Sequence, residues 1–144
     1  MKELFKRFVE WIGRKEKLHA QAHKPPLVSE RDLWRVAFGE NIGQEMNGGG
    51  VKFARPAIIL KKLAHGFYLV APTTTKQHEG SWYVHIRHAN VDEYVCLHQI
   101  RTIDHRRLDR KMGQIDTDDF SRIIKAFIAL YGKNESPPRG GGRG

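Results

Sequence analysis

The pattern of apolar and polar positions divides the chain into a helical start, a β-rich middle and a helical end. Residues 1–21 repeat apolar side chains at helical spacing, with Lys and Arg filling most other positions. The apolar set is Leu4, Phe5, Phe8, Val9, Trp11 and Ile12. The pattern predicts an amphipathic helix, docked on its own domain or on a partner, although a membrane-surface helix has a similar pattern. Pro25 and Pro26 then separate it from the rest of the chain.

Short apolar stretches separated by turn residues predict the β-rich middle. The predicted strands are 33–38, 55–60, 67–71, 81–87, 93–98 and 99–103. Residues 43–50 end in three glycines and are predicted to form a long mobile loop, and residues 106–111 a basic turn.

A final helix is predicted to begin at Asp116 or Thr117 and to end at Gly132. Its predicted buried stripe is Phe120, Ile123, Ile124, Phe127 and Tyr131. The fold class is therefore mainly β (α+β), a small and strongly bent barrel with a helix at each end. We expect residues 1–24 to be helix and linker, 25–132 the barrel domain, and 133–144 a disordered basic tail.

Composition narrows the class of partner. The 144 residues suffice for one domain, and 25 Lys+Arg against 16 Asp+Glu give a formal charge of +9, which favours a polyanion. Cys96 is the only cysteine, which excludes an intramolecular disulfide and suits a reducing cytoplasm. No apolar run approaches the roughly 20 residues of a membrane span. His19 and His23 have the spacing of a metal-binding pair, but without further ligands we expect neither a metal nor another cofactor.

Four sequence blocks, in order, resemble the PemK/MazF family of toxin ribonucleases. They are 33–36 (LWRV) with 39–45 (GENIGQE), Arg55-Pro56 before an aliphatic strand, 70–76 (VAPTTTK), and 99–104 (QIRTID) with 107–113 beyond. Each block is weak alone, but together they cover most of the chain. The resemblance implies an SH3-like barrel that forms a homodimer in the cytoplasm, without a membrane partner. It also implies metal-independent cleavage of single-stranded mRNA, leaving a 2′,3′-cyclic phosphate and a 5′-hydroxyl. An antitoxin protein is expected to occupy the RNA groove.

The resemblance and the chemistry together suggest three catalytic residues. Arg55 suits stabilisation of the phosphorane, because a guanidinium matches two phosphate oxygens at once. Thr74, at a strand end, corresponds to the family's catalytic threonine. His98 precedes Gln99 where several family members carry a carboxylate that serves as general base, and an imidazole suits proton abstraction near neutral pH. For His98, plain packing on a strand is an equally weighted alternative.

Other residues are expected to contact RNA rather than to react. They are Gln44, Thr75, Lys76, Gln77, Gln99 and Arg101. Trp82, Tyr83 and Tyr94 are expected to pack in the core. Two other functions stay open on sequence alone: a basic barrel that binds nucleic acid without cutting it, and a membrane-active protein that acts through its first helix.

Overall fold

Seven strands and two α-helices are present in residues 2–132, the part of the chain that the computed structural model describes. The predicted tail 133–144 lies outside the described residues. The helices are α1 (Lys2–His19) and α2 (Thr117–Tyr131). The strands are β1 (Asp32–Ala37), β2 (Ala54–Ala64), β3 (Phe67–Thr74), β4 (Tyr83–His88), β5 (Val91–Cys96), β6 (Arg101–Asp104) and β7 (Leu108–Gln114). Short 3₁₀ turns, Leu97–Gln99 and His105–Arg107, flank β6.

The strands form one antiparallel sheet that bends at β3. Their order is β4-β5-β3-β2-β1-β7. The first half of β3 pairs with β6, from Phe67 to Val70, whereas Thr73 and Thr74 pair with β5. Because β3 exchanges partners along its length, the sheet wraps around a core. It does not close, since β4 and β7 stand at the two ends of the strand order. The α+β prediction is confirmed, with an open rather than a closed barrel.

The strands bury side chains on both faces. Leu33 and Ile58 belong to one core cluster, while their neighbours Trp34 and Ala57 belong to the other. Helix α2 covers the first cluster through the fully buried Ile123. This double burial explains why residues 57–60 of β2 form a continuous apolar run rather than an alternating one.

Helix α2 begins and ends where the sequence predicts. The side chain of Asp116 accepts hydrogen bonds from the backbone N–H groups of Asp118 (3.0 Å) and Asp119 (3.4 Å). Of the predicted stripe only Ile123 is fully buried, and Tyr131 is 51% exposed. The hydroxyl of Tyr131 donates to the Leu97 carbonyl at 2.6 Å, so this residue acts as a hydrogen-bonding anchor rather than as core.

Helix α1 docks by one edge of its apolar face. Trp11 and Leu18 pack against Ala37 and Phe53, and Trp11 is only 6% exposed. Arg7 donates to the carbonyls of Gly50 (2.9 Å) and Gly48 (3.3 Å). Most of the remaining predicted apolar face is exposed, with Phe5 at 71% and Ile12 at 66%, whereas Phe8 is half-buried. No helix within residues 2–132 is both long and apolar enough to cross a bilayer.

Three local predictions are wrong. Only residues 106 and 107 of the predicted basic turn lie in a turn, because residues 108–111 begin β7, which pairs with β1 at the end of the sheet. An end strand tolerates arginines and lysines because one of its edges faces solvent. Residues 97–99 form a 3₁₀ turn, so His98 is not on a strand. Trp82, expected in the core, is 42% exposed.

Candidate functional site

Arg55 lies at the start of β2 and is fixed by two main-chain carbonyls. Its Nε donates to the Asn47 carbonyl at 2.8 Å, and one terminal nitrogen donates to the Thr73 carbonyl at 3.3 Å. Burial lowers the pKa of Arg55 below its usual value, and the nearby Arg35 lowers it further while Cys96 opposes the shift. An arginine in a protein stays charged at neutral pH even so. The structure therefore holds a half-buried cation in one orientation.

A cleft of about 410 Å³ opens beside this guanidinium, and we call it the Arg55 cleft. It is lined by Arg35, Gly49, Ala54, Arg55, Pro56, Thr73, Thr74, Thr75, Glu93 and Met112. Thr74 ends β3, and its hydroxyl accepts the backbone N–H of Lys76 at 3.2 Å. Thr75 is exposed at the rim. Lys76 and Gln77 are exposed in the loop beyond and do not line this cleft.

His98, Gln99 and Arg101 line a second cleft, of about 420 Å³, which we call the His98 cleft. Its other walls are Phe38, Asn41, Glu45, Met46 and Ile100. The side chain of Gln99 donates to the Gln44 carbonyl at 2.8 Å and accepts the Met46 N–H at 3.0 Å. Gln99 is thus bound to the loop of residues 39–53.

That loop joins the two clefts. It is folded on itself through Asn41, whose side-chain amide donates to the carbonyls of Phe38 (3.0 Å) and Met46 (2.9 Å). Its adjacent residues Met46 and Asn47 contact Gln99 and Arg55 respectively. Six of the predicted site residues are therefore divided between two clefts that share one loop, and His98 does not line the cleft that holds Arg55. The other three, Gln44, Lys76 and Gln77, line neither cleft.

His98 lies among other rings. His78 stacks on Tyr83 with centroids 4.5 Å apart, and the Tyr83 ring lies edge-on to His98 at 5.1 Å. The Trp82 ring lies 6.0 Å from His98. Burial lowers the pKa of His98, and the neighbouring His78 lowers it further. The imidazole is therefore mostly neutral near pH 7, the form that can accept a proton.

Glu93 was not predicted as a site residue. It is 6% exposed, lines the Arg55 cleft, and accepts the hydroxyl hydrogen of Thr73 at 2.7 Å. A signal was present in the sequence, because Glu93 lies two residues before Val95 on a strand and so occupies an inward position. A charged residue at an inward position is uncommon unless it is paired or functional.

The spacing of His19 and His23 raises the question of a metal site. Within residues 2–132, no group of three or more His, Cys, Asp or Glu side chains is arranged to hold a metal ion. His23, one of the spaced histidines, instead contacts His105 through ring nitrogens 3.0 Å apart.

Comparison with known families decides the relationship. The model of the PemK-like, MazF-like toxins of type II toxin–antitoxin systems matches residues 29–131, which include both clefts. The chain belongs to this family. Helix α1 precedes the matched region of the PemK/MazF-like domain. By sequence, no curated protein matches the chain significantly.

Solved structures agree on the fold. MazF from Deinococcus radiodurans superposes with a TM-score of 0.61 at 22% identity, covering 76% of this chain and 98% of that one. A MazE-MazF structure from the same organism has a TM-score of 0.57 at 20% identity, covering 76% and 100%. A mycobacterial structure described as an endoribonuclease in complex with its cognate antitoxin has a TM-score of 0.57 at 16% identity, covering 76% and 100%.

Proposed function

We propose that this PemK/MazF-like protein is a metal-independent endoribonuclease that cuts single-stranded mRNA. Cleavage by the neighbouring 2′-hydroxyl would leave a 2′,3′-cyclic phosphate and a 5′-hydroxyl. The main support is Arg55, a half-buried guanidinium held by two carbonyls beside an open cleft with three threonines. A fixed cation aimed at developing negative charge is the largest single contribution to many such reactions.

Roles follow from where the groups lie. Arg55 would stabilise the charge on the phosphorane, since its high pKa makes it a poor proton donor. Thr74 would hydrogen-bond the scissile phosphate from the strand end. The family resemblance suggests His98, which is mostly neutral at pH 7, as the proton acceptor. Because His98 lines the second cleft, it would contact the RNA there, and Glu93 in the Arg55 cleft is the other candidate for that role.

The two clefts would bind the RNA on either side of the cut. Thr75, Lys76 and Gln77 would contact the strand near the Arg55 cleft, and Gln44, Gln99 and Arg101 near the His98 cleft. The rings around His98 would stack on unpaired bases, which is how proteins commonly bind single-stranded RNA. The net charge of +9 would favour association with the backbone.

The biological setting is proposed from the family. We propose a homodimer in the cytoplasm, inhibited by a cognate antitoxin that covers the RNA groove. The MazE-MazF structure from Deinococcus radiodurans is a precedent for such a pair of proteins on this fold.

The test is cleavage of a long single-stranded RNA by purified full-length protein in excess EDTA. We expect the wild type to cut at a few short sites and Arg55→Ala to be slower by about 10²–10³-fold, the usual cost of losing one transition-state donor. Arg122→Ala, which removes an exposed arginine from α2, is the matched control and should cut normally.

Two results would contradict the proposal. RNA that stays intact but is retained in a gel shift by folded wild type would support the binding barrel that does not cut. Cleavage that EDTA abolishes and Mg²⁺ restores would show that a metal takes part.

A further inference from the structure

Glu93 is a buried carboxylate whose position is not explained by packing alone. It lies on β5 with 6% of its surface exposed, and its partner Thr73 is fully buried. The Thr73 hydroxyl donates a short hydrogen bond, 2.7 Å long, to Oε1 of Glu93. Removing a carboxylate from water costs several kcal/mol or more unless other groups satisfy it, so a buried carboxylate with only one partner is unfavourable for folding.

The other oxygen, Oε2, has no hydrogen-bond partner within the described residues. Because Glu93 lines the Arg55 cleft, Oε2 is the atom that a bound molecule can meet. Two guanidinium groups, those of Arg35 and Arg55, line the same cleft. Two cations against one anion leave the cleft able to bind a phosphate despite the carboxylate.

We propose that Glu93 is the general base of the reaction, an inference that rests on the proposed ribonuclease function. Oε2 takes the proton of the ribose 2′-hydroxyl while O2′ forms a bond to phosphorus. The bond from phosphorus to O5′ breaks, and solvent water protonates the leaving 5′-oxygen. Glu93 then returns its proton to the hydroxide that remains, so protons balance over the turnover.

Glu93 fits this role better than His98 on geometry. A base must reach the attacking hydroxyl, which is bonded to the ribose that carries the scissile phosphate. Glu93 and Arg55 line one cleft, whereas His98 lines the other. His98 then contacts RNA from the second cleft without moving the proton.

The test compares Glu93→Gln with wild type in single-turnover cleavage of a defined single-stranded RNA. Glutamine keeps the shape and can still accept from Thr73, but its amide cannot take up the proton. We expect a loss of about 10²–10⁴-fold, the range for a general base, with RNA retention in a gel shift unchanged or stronger. We also expect the wild-type rate to fall toward acid pH and this fall to be absent from Glu93→Gln.

Two controls separate catalysis from charge and from folding. Glu16→Gln makes the same charge change on the exposed surface of α1 and should cut like the wild type. If Glu93→Gln does not fold, Glu93→Asp takes its place. Aspartate keeps the carboxylate but is one methylene shorter, so the carboxylate no longer reaches the 2′-hydroxyl and the cleavage rate should fall by at least about tenfold.

The outcomes are distinct. The inference is overturned, and the ribonuclease function stays intact, if Glu93→Gln cuts RNA within about threefold of the wild-type rate. Where Glu93→Asp is used in place of Glu93→Gln, a folded Glu93→Asp protein that cuts as fast as the wild type has the same meaning. A His98→Gln protein that shows the large loss and the altered pH profile instead also overturns it. A wild type that does not cut RNA overturns the proposed function and this inference together.

Discussion

Gly39 of the PemK/MazF-like domain lies against Trp11 of α1. Replacing Gly39 with alanine therefore tests the contact between α1 and the domain. Gly39 has a φ of +88°, a left-handed conformation that costs other residues about 1–2 kcal/mol. A Cβ at this position would also overlap the indole ring of Trp11. Gly39→Ala should therefore strain the backbone and displace Trp11 from its site against Phe53.

The two costs can be separated. Losing a buried tryptophan costs about 3–5 kcal/mol, so Gly39→Ala in the wild type should cost more than the backbone strain, up to about 5 kcal/mol. In a Trp11→Ala background the ring is gone, and only the strain of about 1–2 kcal/mol should remain. The double-mutant cycle therefore predicts a coupling between Gly39 and Trp11 that is greater than zero and reaches at most about 3–4 kcal/mol.

Urea unfolding gives the free energies, and amide hydrogen exchange gives their location. Gly39→Ala should speed exchange in α1 and in the 39–53 loop more than in β2 or β3. Gly13→Ala is the matched control, since nothing lies within 4 Å of its added Cβ and helical alanine is favoured over glycine by about 1 kcal/mol. Equal costs of Gly39→Ala in both backgrounds would refute the docking of α1.

Two further predictions concern stability. Tyr131→Phe removes the hydrogen bond to the Leu97 carbonyl and should lower the free energy of unfolding by about 0.5–1.5 kcal/mol in urea; no change would show that the bond contributes nothing. Burial lowers the pKa of His105, with His23 lowering it further and Asp104 opposing. The folded state thus takes up this proton at lower pH than the unfolded state, so stability should fall as pH drops below about 6.5. The loss in urea midpoint between pH 7.5 and 5.5 should be smaller in His105→Gln, and an unchanged loss would contradict the assignment.

The parts of the site that lie near each other in sequence were predictable. Arg55 follows a glycine-rich loop and precedes an aliphatic strand, and Thr74 ends the next strand, so both were expected at strand ends. Because β2 and β3 form an antiparallel hairpin, the start of one strand meets the end of the other. The Arg55–Thr73 contact follows from that local pairing, and so does the position of Thr74.

The remaining features depend on distant pairing. Glu93 meets Thr73 only because β5 joins β3 in the register that sets Thr73 opposite Val95, which no local pattern reveals. Helix α1 is predicted correctly as a helix. The edge by which it packs on the domain depends on Gly39 and Phe53, which leave room for the Trp11 side chain. His98 lies in a 3₁₀ turn and lines a different cleft from Arg55, although the sequence predicts that it ends a strand.

The most direct test of the central claim is cleavage of RNA that lacks the attacking hydroxyl. Once the cut sites are mapped, a synthetic RNA carries a single 2′-deoxy nucleotide on the 5′ side of the scissile phosphate, with EDTA present. We predict that this RNA is not cut, while a 2′-deoxy nucleotide two positions away is tolerated and the unmodified RNA gives a 2′,3′-cyclic phosphate end. Cleavage of the substituted RNA, with a 5′-phosphate on the product, would show that water rather than the ribose attacks and would contradict the account.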